Sequence, residues 1–181
     1  MNVLDELFAE AEWHADLAAA GPDGREPRLR LVVVTCMDTR VNPYEILRLK
    51  TGDAHVLRNA GGVTTPDVRR GLVVSQRELG TRHIIVMHHT RCEMAGITDT
   101  AFKDDIEADT RLRPDWALEA FTNVDQDVDR SIRRIQADRT IPYRDSICGC
   151  VYDVDTHEVR RPRWPADGDR AAAPPPSLFR G

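Results

Sequence analysis

Two short motifs hold the side chains of this 181-residue chain that are best suited to chemistry. The first is Cys36-Met37-Asp38-Thr39-Arg40, and the second is His89-Thr90-Arg91-Cys92. Cys36, His89 and Cys92 offer two thiolates and an imidazole, which are ligand types that zinc prefers. Three protein ligands leave one tetrahedral position open, and an open position is typical of a catalytic zinc rather than a structural one.

The residues beside these ligands could control a bound water. Asp38 could accept the proton of that water, and Arg40 could keep the Asp38 carboxylate ionised and oriented through its planar guanidinium. His88 precedes His89, and adjacent residues on a strand point to opposite faces, so only one of the two can be a ligand. The spacing to Cys92 favours His89, which leaves His88 in the core or behind the ligands. A structural zinc, or buried thiols beside a plain Asp38–Arg40 ion pair, is the alternative reading of the motifs alone.

Both motifs follow β-branched apolar runs, and the surrounding pattern predicts the elements that position them. Helices are expected over 3–20, 43–50, 67–79, 97–109 and 122–138, strands over 29–35, 54–57, 83–88 and 147–154, and a loop over 59–62. Alternating strands and helices predict an α/β fold with a mostly parallel β-sheet flanked by helices. The last strand is expected at an edge of the sheet. Because ligands of such sheets gather at the carboxyl ends of the strands, the two motifs are expected to meet there.

Length and composition predict one domain over residues 1–161, followed by a Pro/Arg-rich tail over 162–181 that is disordered or lies on a partner subunit. Charged residues make up 30% of the chain, and the net charge of -5 argues against nucleic acid as the main partner. We find no apolar run of about 18 residues, so no membrane span is expected. The acidic N-terminus lacks the layout of a signal peptide, which predicts a cytoplasmic protein with reduced thiols.

Two further cysteines, Cys148 and Cys150, flank Gly149 on a predicted strand. Alternate residues of a strand share a face, so both thiols are available to a metal or to oxidation. The alternative is that both are small buried apolar residues.

The wider sequence around the motifs resembles the β-class carbonic anhydrase family. The resemblance is carried by Cys36-x-Asp38-x-Arg40 and His89-x-x-Cys92, and it extends through the segments 52–55, 58–62, 75–80 and 94–96 and the late strand 151–156. It implies a dimer or higher homo-oligomer, and a zinc ion held by Cys36, His89 and Cys92. It also implies the reversible hydration of carbon dioxide to bicarbonate and a proton, with Asp38 and Arg40 as catalytic residues.

The same resemblance implies finer roles at the site. Backbone N–H groups near Gly61 and Gly62 could receive a substrate oxygen. In some members of the family the aspartate leaves the arginine and becomes the fourth zinc ligand in an inactive, closed state, and Asp38 has the position to do this. The N-terminal helix and the apolar stripe over 124–135 are expected to contribute to dimer contacts.

The sequence departs from the family pattern at Arg91 and Glu93, where members commonly have a small polar residue and glycine. Arg91 could pair with Glu93 or alter the electrostatics of the site. Two other functions stay open at this point. One is the hydrolysis of carbonyl sulfide or carbon disulfide, linear apolar molecules similar to carbon dioxide, on the same zinc site. The other is a non-catalytic protein that responds to zinc or to redox change through Cys148 and Cys150.

Overall fold

A computed structural model describes Val3 and residues 24–163 of the chain. The predicted N-terminal helix over 3–20 and the predicted tail over 162–181 lie almost entirely outside the described residues. Within them, the α/β prediction is confirmed by a five-stranded sheet with strand order β2-β1-β3-β4-β5. The strands are β1 (Leu31–Cys36), β2 (Ala54–Asn59), β3 (His83–His89), β4 (Ile147–Tyr152) and β5 (Val159–Arg160). The first four pair in parallel, and β5 is antiparallel to β4.

Four helices accompany the described sheet: α1 (Pro43–Ile46), α2 (Pro66–Arg77), α3 (Asp99–Thr110) and α4 (Val124–Ala137). The side chains of Asn42, Thr65, Thr98 and Asn123 each cap one of these N-termini by accepting a hydrogen bond from a backbone N–H.

The predicted helix over 43–50 is too long, because Arg48 adopts a left-handed conformation with φ of 52° and ends α1. The strand β4 is not at the edge as predicted, because the short β5 pairs with its outer side.

The central strands β1 and β3 are buried on both faces, as the continuous apolar runs predict. One face packs on α2 and α4 through a cluster that includes Val34, Leu72 and Ile135. The apolar stripe over 124–135 packs in this cluster, and its contribution to dimer contacts stays a prediction. Gly149 permits this packing, since a Cβ there would lie 2.5 Å from Val128 Cγ1.

A buried hydrogen bond joins α4 to the strand that carries the second motif. His88 Nε2 lies 2.8 Å from Asp127 Oδ2, and neither side chain is more than 2% exposed. Arg130, one turn along α4, donates to the other oxygen of Asp127. Burial raises the pKa of Asp127, but the hydrogen bonds from His88 and Arg130 outweigh it and hold that pKa below its usual value. His88 is therefore a core residue, one of the two places that the sequence left open for it.

We predict that Asp127→Ala destabilises the fold by about 3 kcal/mol, because it leaves His88 buried without its partner. The stabilising contribution of Asp127 is present at neutral pH and is lost as the pH falls below about 4, because its pKa is lower in the folded chain than in the unfolded one. Urea unfolding at pH 7 measures the change. Asp129→Ala on the same helix is the control, since the Asp129–Arg133 pair is more exposed and should contribute under about 1 kcal/mol. Equal losses for the two variants would contradict the assignment.

Candidate metal centre

The first motif begins where β1 ends, and its backbone is fixed by the neighbouring strand. Met37 donates its N–H to Asn59 O, and Arg58 donates to the carbonyl oxygens of Cys36 and Asp38 at 2.9 and 2.7 Å. Gly62 packs directly on this turn, because a Cβ there would meet Cys36 N at 2.9 Å. The backbone of Cys36 is therefore fixed by contacts from β2 and from the turn that follows β2.

The second motif begins where β3 ends, and a hydrogen bond determines which nitrogen of His89 is free. His89 Nδ1 donates to the carbonyl oxygen of Thr90 at 2.9 Å, so the lone pair of the neutral ring is on Nε2. His89 Nε2 is buried and has no hydrogen-bond partner. A buried nitrogen without a partner is costly unless something else binds it, and a metal ion is suited to do so.

Cys36, His89 and Cys92 come together as the sequence predicts. Their ligand atoms lie within 4.8 Å of one another, and all three residues are buried. Cys36 Sγ lies 3.9 Å from Cys92 Sγ. A tetrahedral zinc with bonds of ~2.3 Å to sulfur would hold its two sulfurs ~3.8 Å apart. The donor set, the spacing of the sulfurs and the partnerless nitrogen therefore all fit zinc.

The two thiols do not ionise independently. The hydrogen bond with Cys92 lowers the pKa of Cys36, with further help from His89 and from the backbone N–H groups of Asp38 and Gly61, and these together outweigh burial. The pKa of Cys92 is raised by its bond to Cys36 and by burial. A zinc ion bound by both sulfurs would favour their deprotonated forms.

Asp38 and Arg40 form a two-point ion pair beside the cluster. Arg40 Nε donates to Asp38 Oδ1 at 2.9 Å, and an Arg40 Nη donates to Oδ2 at 2.6 Å. The Arg40 hydrogen bond holds the pKa of Asp38 well below its usual value, so the carboxylate is ionised at neutral pH. Asp38 Oδ2 also lies 3.9 Å from His89 Nε2, which places this carboxylate at the border of the cluster.

Apolar side chains pack on the two sulfurs. Val63, Met94 and Phe121 form one buried cluster with Cys36 and Cys92. Phe121 and Met94 also lie over Gly61, at 3.3 and 3.1 Å from the position that a Cβ would take there. The cluster thus has a charged, partly exposed border at Asp38 and Arg40. Val63, Met94 and Phe121 form its apolar wall.

The comparisons with known proteins agree with this geometry. The family model for carbonic anhydrase matches residues 31–159. Beta-carbonic anhydrase 1 of Mycobacterium tuberculosis is 42% identical over 161 residues, which cover 88% of this chain and 97% of that protein. The chain belongs to the β-class carbonic anhydrase family. A crystal structure of carbonic anhydrase from Streptococcus mutans has a TM-score of 0.80 and 35% identity, and it covers 90% of this chain and 99% of that one.

Carbon disulfide hydrolases are also among the relatives. The one from Acidithiobacillus thiooxidans is 30% identical over 185 residues, which cover 91% of this chain and 92% of that protein. The carbonic anhydrase relative is more similar by 12 percentage points of identity (42 − 30). Zinc is the metal of β-class carbonic anhydrases, and this chain has the ligand group for it.

Not every residue that the sequence singled out takes the expected contact. Arg91 does not pair with Glu93: its Nη1 lies 2.6 Å from Asp155 Oδ1, on the turn between β4 and β5. Gly61 and Gly62 lie next to the metal ligands, with φ of 81° and 70°, but their role in holding a substrate oxygen stays a prediction.

Cys148 and Cys150 lie on the same face of β4 and pack on the apolar cluster around Val33 and Met87. Burial raises the pKa of both thiols, that of Cys150 to about 12, so they stay protonated at neutral pH. Among the described residues they are not part of a metal-ligand group. Their surroundings agree with small apolar residues rather than with a redox or metal site.

Sequence reasoning missed three contributors to the site: Arg58, Phe121 and Asp155. Arg58 was part of a recognised segment, and an arginine at the end of a strand beside the first ligand could have been identified as a support of that turn. Phe121 lies in a loop without a periodic pattern, and Asp155 lies in the segment 151–156, which was recognised without a role for Asp155. No local signal connects these two residues to the ligands, and only the packing of the chain does.

We predict that Cys92→Ser reduces zinc from about one ion per chain to almost none, because a serine hydroxyl is a poor replacement for thiolate. Elemental analysis of purified protein measures the content. Cys148→Ser is the matched control and should keep its zinc, since that thiol lies outside the ligand group. Full zinc in Cys92→Ser would show that Cys92 is not a ligand.

Proposed function

We propose that this chain catalyses the zinc-dependent, reversible hydration of carbon dioxide to bicarbonate and a proton. The observation that carries the proposal is the position of the Asp38–Arg40 pair at the border of the Cys36, His89 and Cys92 group. Membership in the carbonic anhydrase family over most of the described chain supports it.

In this proposal Cys36, His89 and Cys92 hold the zinc ion. When bound, zinc acidifies a water in its fourth coordination position and so supplies a nucleophilic oxygen near neutral pH. The hydrogen bond from His89 Nδ1 to Thr90 O keeps the ligand nitrogen deprotonated and the ring oriented.

Asp38 provides a hydrogen-bond acceptor beside that position. Its carboxylate is ionised and can orient a neighbouring O–H group by accepting a hydrogen bond from it. Arg40 leaves Asp38 little freedom, because it donates to both carboxylate oxygens and its backbone N–H donates to Oδ1 as well. The apolar wall of Val63, Met94 and Phe121 suits a small apolar substrate, and backbone N–H groups near Gly61 and Gly62 would receive one of its oxygens.

In this proposal, the pairing of Asp38 with Arg40 is the arrangement of the active state. Asp38 as a fourth zinc ligand in a closed state is part of the proposal, since only a short movement separates its carboxylate from the ligand group. That movement requires Arg40 to release both oxygens.

We also infer a homodimer or higher homo-oligomer in the cytoplasm. Among the described helices, none is long and apolar enough to cross a membrane. Exposed Leu112 and Trp116 near α3 give a surface that a second copy could cover. Sedimentation at micromolar concentration is expected to give a species of at least two chains, and a stable monomer would contradict this.

We predict that Asp38→Asn keeps its zinc and loses at least about 100-fold in kcat for carbon dioxide hydration, because an amide accepts a proton poorly. Arg40→Ala should also reduce kcat, because it frees the carboxylate. Stopped-flow measurement of proton release at pH 8 gives both values. Asp53→Asn is the matched control: the Asp53–Arg28 pair has side-chain exposures of 13% and 43%, close to 16% and 44% for Asp38–Arg40, but it lies at the other end of the strands.

The same proteins also test the alternative substrate. The carbon disulfide hydrolases among the relatives make hydrolysis of carbon disulfide the second candidate function. Parent protein that hydrolyses carbon disulfide but does not hydrate carbon dioxide would replace our proposal with this one. Activity of Asp38→Asn equal to that of Asp53→Asn would instead reject the role of Asp38.

A further inference from the structure

Arg91 occupies an unusual position between two metal ligands. It lies on the turn from His89 to Cys92 and has a φ of 56°, a left-handed conformation that is uncommon for a bulky residue. Its carbonyl oxygen accepts a hydrogen bond from Arg40 Nη2 at 3.1 Å. The same nitrogen donates to Asp38 Oδ2. One guanidinium nitrogen therefore connects the proposed catalytic pair to the backbone of the ligand turn.

The side chain of Arg91 reaches Asp155, whose turn is held by hydrogen bonds of its own. Its guanidinium meets Asp155 at 2.6 Å. Asp155 lies in the turn between β4 and β5, where the Asp153 carboxylate accepts the N–H groups of Asp155 and Thr156 at 2.9 and 3.1 Å. The turn is thus closed by its own hydrogen bonds, so Asp155 is a fixed anchor.

Two more hydrogen bonds attach the ligand turn to the same anchor. Thr90 N donates to Tyr152 O at 2.9 Å, and Val154 N donates to Thr90 Oγ1 at 3.1 Å. Both are made by Thr90, one residue before Arg91. The ion pair to Asp155 adds a third link, at the residue whose carbonyl oxygen meets Arg40.

We propose that the ion pair between Arg91 and Asp155 is a clamp that positions Arg40, and through Arg40 the Asp38 carboxylate, for the reaction. The clamp fixes the Arg91 peptide so that its carbonyl oxygen stays where Arg40 Nη2 can donate to it and to Asp38 at the same time. Arg91 and Asp155 are positioning residues, and they touch neither substrate nor metal. The inference rests on the proposed hydration activity.

A different mechanism would use the same residues. Glu93 and Asp155 both lie close enough to attract Arg40 electrostatically. Arg91 could then act only by neutralising Asp155 and so preventing it from pulling Arg40 away from Asp38. The two mechanisms differ when Asp155 alone is removed: this breaks the clamp, but it leaves nothing for Arg91 to neutralise.

A double-mutant cycle on the zinc-loaded protein separates them. We expect Arg91→Gln and Asp155→Ala each to lower kcat by about threefold, a size that an exposed ion pair can supply, with KM little changed. The double variant should lose no more than either single variant, because the clamp is already broken. Arg91→Lys keeps a cation for Asp155 and should recover most of the loss. Stopped-flow carbon dioxide hydration measures all four.

A matched pair on α2 controls for the loss of any surface ion pair. Arg70 lies 2.8 Å from Asp67 and both are well exposed, so the same three substitutions there should leave kcat unchanged. Elemental analysis should find full zinc in every variant. A second readout does not depend on activity: exchange of the Arg40 Nε–H proton with water, followed by NMR, should be faster in Arg91→Gln and Asp155→Ala than in the parent.

Three other outcomes would each overturn the clamp. Parent-like kcat in both single variants would show that the ion pair positions nothing. A parent-like Asp155→Ala together with a double variant that restores Arg91→Gln would show neutralisation instead. Loss of zinc would show that the pair supports the ligands. If the parent itself does not hydrate carbon dioxide, the proposed function fails, and the exchange of the Arg40 proton alone then confirms or rejects the clamp.

Discussion

The parallel pairing of β1 with β3 is the constraint on which the site depends. Thr35 pairs with Met87 in this register, so β1 and β3 end at the same edge of the sheet, with Cys36 and His89 as their last residues. A slip of one residue would turn the alternate side chains of β3 to the opposite faces. His89 would then face α4, and His88 would face the opposite side of the sheet. The buried apolar residues of both strands fix the register, and the metal ligands receive their geometry from it.

Several features at the ends of β1 and β3 are unfavourable by themselves. His89 Nε2 is buried without a hydrogen-bond partner, and His88 next to it is buried with its hydrogen-bond partner Asp127. Gly62 approaches the Cys36 backbone so closely that any side chain there would clash. Such features are expensive in an ordinary core, and they are concentrated here at the ends of two strands. This concentration is what a preorganised metal site requires, because ligands held in place lose little freedom when the ion binds.

Arginine side chains provide the next layer of order. Arg58 holds the carbonyl oxygens of the first motif, and Arg40 holds the carboxylate of Asp38. Arg91 joins the second motif to the turn after β4. Planar guanidinium groups suit this work because each can donate several hydrogen bonds in fixed directions. These arginines thereby connect the loops that carry the motifs to neighbouring strands and turns.

The sequence by itself determined the ligand types, the α/β order of elements and the family, because these depend on residue identity and on short-range periodicity. It placed Cys36, His89 and Cys92 together through a general rule about strand ends, without distances. Only the tertiary structure decided that the stripe over 124–135 covers its own sheet and that Arg91 meets Asp155 rather than Glu93. These outcomes depend on which surfaces meet when distant segments pack, and that is a property of the whole chain which no local pattern contains.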